Sequence, residues 1–190
     1  MRHAGIEVAH AGSAVVRDIH SVRPLSEVRG LALDGAMPFD SDAVLLVDFW
    51  KATNPAREFR TSTLSAPDIV PQLTTVIADP ATQVVPLEKS PRNPYDGFLF
   101  LGRASTCDII VRDASISKAH AIIEPSGGRY TLRDNRSRNG TWLNGERLKD
   151  GARADLASGD VIVLGSYPVY FVLSTELVKL LARSGRSGRP

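Results

Sequence analysis

Cysteine is almost missing from this chain. Cys107 stands alone among 190 residues, so neither a disulfide framework nor a thiolate zinc site can form within one copy, and a reducing cytoplasm is the expected compartment. Long apolar runs are missing too. Ala43–Val47 is far too short to cross a bilayer, and Met1-Arg2-His3-Ala4-Gly5 is not followed by an apolar stretch of signal-peptide length. A soluble, unprocessed protein with no membrane partner is therefore expected. Charge of one sign is also lacking: basic and acidic residues number 9 and 11 over positions 1–95, 10 and 9 over 96–173, and 4 and 1 over 174–190. No segment is basic enough to make nucleic acid the main partner. Neither a Gly-x-x-x-x-Gly-Lys phosphate loop nor a Gly-x-Gly-x-x-Gly fingerprint is present. His3, His10 and His20 have no Asp, Glu or Cys at a matching ligand spacing, so no metal, no cofactor and no enzymatic activity are expected.

What is present changes texture near residue 95. From Gly97 onward, short β-rich runs alternate with turn signals: Phe98–Leu101, Ile109–Val111, His120–Ile123, Tyr130–Leu132, Thr141–Leu143, Val161–Leu164 and Tyr170–Leu173. No amphipathic helix long enough for a crossover separates them, so the spacing argues for an antiparallel sandwich. Ser126-Gly127-Gly128 and Asn144-Gly145 are hairpin turns by their tolerance of left-handed backbone. Ser174–Arg183 reads as a short helix, with Leu177, Leu180 and Leu181 on one face and Gly185 as its stop.

The first half is less regular. Asp40-Ser41-Asp42 can cap a helix over Ala43–Ala52, stopped at Asn54-Pro55, yet Ala43–Val47 is apolar on every side and reads equally as a buried strand. Seven prolines, at 55, 67, 71, 80, 86, 91 and 94, cut up the stretch that follows. The expected organisation is a partly helical extension over 1–80, docked on the sandwich, and a linker or edge segment over 81–95. The sandwich follows over 96–173, then a C-terminal helix over 174–185 and a disordered tail over 186–190.

Four short elements fall in order inside the sandwich: Gly102-Arg103, then Ser115-Ile116-Ser117-Lys118-Ala119-His120, then Ser137-Arg138-Asn139-Gly140-Thr141, then Asn144-Gly145. Their residue types suit a phosphate. Arg103 offers a rigid fork of donors, Ser117 a hydroxyl and Lys118 a mobile point charge, which together make charge-assisted bonds to a near-dianion. Asn139 carries both a donor and an acceptor, which match the two groups of an extended peptide backbone.

In these elements the chain resembles the forkhead-associated (FHA) domain family over about residues 96–173. The pattern there is Gly-Arg, Ser-(Arg/Lys)-x-His, Asn-Gly-Thr and Asn-Gly. The resemblance implies an all-β fold: an FHA-like antiparallel β-sandwich, with an N-terminal extension containing a helix and a short C-terminal helix. It implies loops at one end that place Arg103, Ser117 and Lys118 at a phosphothreonine and Asn139 on the ligand backbone. Gly102, His120, Gly140, Thr141 and Asn144 take structural roles, with His120 tying loops together. Arg138 stands where some members have threonine; with Arg136 it reads either as a subsite for acidic ligand residues or as solvated loop charge.

Two functions from different classes follow. One is a signalling adaptor that binds a threonine-phosphorylated protein or peptide downstream of a Ser/Thr protein kinase. The other is a structural subunit that keeps the scaffold and contacts its partner through Phe49, Trp50 and the Val44–Val47 run, without phosphate. Self-association through this chain's own Thr53, Thr61, Thr63, Thr74 or Thr75 is a further option. A Ser117–His120 nucleophile pair lacks a marked acidic third member, and Cys107 reads as a small packed side chain.

Overall fold

The computed structural model of the chain describes residues 22–33, 39–47, 73–79 and 82–186, the last three of these by backbone only. Phe49, Trp50, Thr53, Thr61, Thr63, the three N-terminal histidines and the tail from 187 lie outside the described residues.

Twelve strands make two sheets. The larger has the order β1 (Arg23–Pro24), β3 (Gln83–Pro86), β2 (Ala43–Val47), β12 (Tyr167–Leu173), β11 (Val161–Leu164), β8 (Thr141–Leu143), β9 (Glu146–Arg147). The smaller has the order β10 (Ala154–Leu156), β7 (Arg129–Asp134), β6 (Ala121–Ser126), β4 (Leu99–Gly102), β5 (Ile109–Ile110). Every pairing is antiparallel except β4 with β5, which run parallel with Leu101 opposite Ile109 and Gly102 opposite Ile110. Asn144 and Gly145 both take positive φ, 51° and 87°, in the β8–β9 turn, as a two-residue hairpin of matching twist requires.

Alternation along the strands builds two apolar layers. Leu45, Val85, Leu101, Ile123, Leu132, Ile162, Leu164 and Phe171 meet between the sheets. Their neighbours Val44, Leu46, Val84, Val161, Val163, Tyr170 and Val172 face the other way, onto helices. Those helices are α1 (Leu25–Leu33), α2 (residues 73–78) and α3 (Ser174–Arg186), which contribute Leu25, Val28, Leu73, Val76, Ile77, Leu177 and Leu181. The larger sheet is therefore covered on both faces, and strands buried on both faces read as continuous apolar runs. Of the two readings open for Ala43–Val47, the strand is the one found. All five of its residues are at most 1% exposed, so the Val44–Val47 run offers no surface to a partner.

The sandwich does not begin at residue 96. β2 and β3 belong to its larger sheet, with Val44 opposite both Val172 and Pro86. Without them β12 would be a long, fully apolar open edge. The stretch expected as a linker or edge segment is likewise built in: β3 lies between β1 and β2, and the segment after it is fastened by Asp108. This buried carboxylate accepts Ser90 N (2.7 Å), Asn93 Nδ2 (2.5 Å) and Phe100 N (2.7 Å). α3 continues through Gly185 to Arg186, since one glycine weakens a helix without forbidding it. Among the described residues no helix is long and apolar enough to cross a membrane.

Asp108→Ala leaves those donors unpaired and should lower unfolding free energy by roughly 3–5 kcal/mol in a urea titration. Lys89→Ala should change it by less than about 1 kcal/mol, because Lys89 Nζ stands 3.8 Å from Asp108 and is partly exposed.

Candidate functional site

The parallel pairing of β4 with β5 fixes where the site lies. Both strands run toward the same end of the sandwich, so the chain segments leaving them emerge side by side. Val111 N bonds to Gly102 O at 2.9 Å and extends the ladder past both strand ends. The segment after β4 is then zipped to the segment before β6: Arg103 N bonds to Ser117 O (3.1 Å) and Ala104 N to Lys118 O (3.0 Å). Gly102 makes this approach possible, because a Cβ there would stand 2.3 Å from the carbonyl oxygen of Lys118. Arg103, Ser117 and Lys118 are thus joined through their own backbones.

The loop from Asp134 to Thr141 closes the third side. Arg138 N donates to Ser117 Oγ at 2.9 Å, and Asn139 Nδ2 donates to Ser115 O at 2.7 Å. Beneath, His120 is fully buried and bonds in two directions. Its Nδ1 accepts Ser117 N–H at 3.0 Å and its Nε2 donates to Gly140 O at 2.9 Å. Those partners specify a neutral imidazole protonated on Nε2. Burial pulls its pKa below the ordinary 6.5, against the opposing pull of Gly140 O and Asp134. Neither nitrogen is bonded to Ser117 Oγ, so the pair does not form a nucleophile and base.

Asp134 organises the loop itself. Its Oδ1 accepts the hydroxyls of Ser137 and Thr141, both at 2.6 Å, and its Oδ2 accepts Ser137 N at 2.9 Å. Burial alone would raise its pKa, but the bonds from Ser137 and Thr141 and the nearby His120 outweigh it and hold the carboxyl below its ordinary 3.8. Gly140 N in turn donates to Ser137 Oγ at 2.9 Å. Asn144 stands apart from the rim, across β8. From its turn it donates to Asp160 Oδ1 (2.8 Å) and accepts Val161 N (3.0 Å), which ties the turn to the start of β11. Cys107 is buried with Sγ bonded to Lys118 O, and burial pushes its thiol up to about 11, where thiolate chemistry is suppressed.

The rim is cationic and open. Arg103, Lys118, Arg136 and Arg138 are exposed, and among the described residues none of the four side chains has an ion pair. Ser117 Oγ accepts an amide proton and keeps its own hydrogen to donate. Beside Arg103 lies a depression of about 240 Å³ lined by Arg103, Arg112, Asp113 and Ala114. Sequence reasoning gave no role to Arg112, Asp134, Ser137 or Ser115. The motif spacing contains Ser115 and Ser137, but their bonds depend on loops that meet only after folding. Arg112 carries no local signal beyond its charge.

Neutral His120 and ionised Asp134 give the free protein a two-step acid response. The unfolded chain takes up an imidazole proton near 6.5 and the folded chain does so only lower, so this contribution is present above 6.5 and is lost as pH falls below it. The Asp134 contribution is present above 3.8 and is lost as pH falls further. Thermal unfolding of ligand-free protein should show both steps. His120→Ala should lower the melting temperature at pH 7.5 and remove the first step; an unchanged upper step in that variant would exclude His120 as its source.

The family profile of the FHA domain matches residues 99–165, a stretch that contains every loop of this rim. The chain is similar to FHA domain-containing protein At4g14490 of Arabidopsis thaliana, at 39% identity over 82 residues, 42% of this chain and 21% of that protein. It is also similar to the ABC transporter ATP-binding/permease protein Rv1747 of Mycobacterium tuberculosis, at 38% identity over 79 residues, 42% of this chain and 9% of that protein. Among solved structures, Mycobacterium tuberculosis EmbR in complex with a low affinity phosphopeptide aligns at 31% identity and a TM-score of 0.38, covering 41% of this chain and 20% of that one. The chain thus spans about a fifth or less of the length of these relatives. Motif order, a two-sheet sandwich and the profile match agree on one conclusion: this chain carries an FHA domain, and residues 99–165 belong to that family.

Proposed function

We propose that this chain is a phosphothreonine-reading adaptor, which recruits a protein marked by a Ser/Thr kinase in the cytoplasm. FHA domains are binding modules rather than enzymes. One observation carries the reading: Arg103, Ser117 and Lys118 are held together by backbone bonds, while neither cationic head is engaged by a carboxylate among the described residues. Two exposed cations and a free hydroxyl proton, fixed on one rim, supply the charge-assisted donors a phosphate dianion takes. Asn139, bonded to the same frame through Ser115, has an Oδ1 left to meet a ligand N–H. Arg138 adds charge beside it. Gly102, His120, Gly140 and Thr141 position these groups and touch no ligand.

A phosphothreonine peptide should bind the full chain in a calorimetric titration and its unphosphorylated twin should not, since each charged contact contributes about 1.5–3 kcal/mol. Phosphoserine should bind less well. Affinity should weaken as pH falls below about 6 and the dianion gains a proton. Arg103→Ala should weaken binding by roughly 2–5 kcal/mol with the melting temperature unchanged. Equal affinity for the phosphorylated and plain peptides would remove the reading.

A further inference from the structure

Cations elsewhere in the described structure are mostly spoken for. Arg133 and Arg153 share Glu124, Lys179 pairs with Glu176, Arg23 with Glu27, Arg29 donates to Ile77 O, and Arg147 lies over the ring of Trp142. Arg112 is different. It is exposed, has no ion pair or hydrogen bond through its side chain among the described residues, and lines one depression of about 240 Å³ with Arg103.

This juxtaposition follows from topology. In an antiparallel pair, the C-terminal ends of β4 and β5 would lie at opposite ends of the sandwich; the parallel register, continued by Val111 N to Gly102 O, brings residues 103 and 112 out together. The single carboxylate in the depression offsets only one of the two positive charges and, among the described residues, forms an ion pair with neither arginine. Asp113 Oδ1 is already occupied by Ser115 N (2.7 Å) and Ser115 Oγ (2.5 Å). Two forked guanidiniums share a hollow whose acid is committed to the loop, and like charges so placed favour an oxyanion between them.

We propose that the hollow between Arg103 and Arg112 is a second anion subsite, which takes a carboxylate or a second phosphate carried by the same ligand near its phosphothreonine. The proposal rests on the phosphothreonine reading and adds a specificity-determining residue, Arg112. A ligand with one phosphate and neutral neighbours engages Arg103, Ser117 and Lys118 alone. A ligand with a neighbouring oxyanion also engages the Arg112 fork.

The test is a titration of the full chain at about 0.15 M salt, where charges beyond roughly 8 Å are screened. The probes are a phosphothreonine peptide with alanine on both sides, the same peptide with aspartate placed at each flanking position in turn, and a set with a second phosphothreonine at those positions. At one position or more the added anion should tighten binding by about five- to twentyfold, the range of a partly exposed charge-assisted bond. Arg112→Ala should abolish that gain while leaving the alanine-flanked peptide and the melting temperature as they were. Arg129→Ala, an exposed cation at the far hairpin, should keep the gain. The aspartate and phosphate arms separate a carboxylate ligand from a doubly phosphorylated one. A gain that persists in Arg112→Ala, that disappears equally in Arg129→Ala, or that occurs at no position overturns the subsite. If the alanine-flanked phosphopeptide fails to bind the native chain, the phosphothreonine reading itself falls, and the subsite with it.

Discussion

Side chains of one charge cannot hold one another in place, so a cationic rim needs a frame that fixes its loops from beneath. Here that frame is anchored by a neutral imidazole, fully buried, that accepts Ser117 N–H on one side and donates to Gly140 O on the other. The two loops it joins carry Ser117 and Lys118, and Arg138 and Asn139. Were the ring charged, Nδ1 would become a donor facing another donor, and the Ser117 loop would lose its support. Burial, which disfavours that charge, is therefore part of how the rim keeps its shape near neutral pH.

Around this bond the polar interior is divided between two aspartates. Asp134 gathers Ser137 and Thr141 into the loop that ends at Gly140, while Asp108 fastens Ser90, Asn93 and Phe100 at the entry to β4. Both are buried carboxylates whose bonds come from neutral donors. They shape loops and leave the cations outside to face solvent. Exposed cations without partners are inexpensive in water, so an unpaired rim does not destabilise the fold.

Much of the domain was legible in the sequence because its signals are local. Thr141–Leu143 and Val161–Leu164 are strands with the expected limits, and Asn144-Gly145 turns where two left-handed residues are needed. The order Gly102-Arg103, Ser117, His120, Asn139 pointed to loops that do meet. What stayed hidden depends on distant partners. Gln83–Pro86 contains two prolines' worth of ambiguity nearby, at 80 and 86, and becomes a strand through Val44, Leu45 and Leu46. β9 is two exposed residues, and β10 alternates over only three, too few to read as a strand. Arg112 joins Arg103 through a parallel ladder of two residue pairs, a register that no spacing rule would reveal.

That division of labour also separates stability from recognition. The strands before residue 96 add to the edge of the larger sheet beyond β12, and β12 and β11 stand between them and β8. Every described rim side chain comes instead from the segments after β4, after β5 and between β7 and β8. The first half therefore completes two hydrophobic layers without entering the rim, while the rim draws its charge from loops whose side chains the layers do not need. Loops on a scaffold closed at its far edge can exchange Arg138 or Arg112 for other residues at little cost to folding. On the proposed reading, ligand preference falls to residues the core does not constrain, whereas Arg103 is tied by its own N–H to Ser117 O and its neighbour Ala104 to Lys118 O.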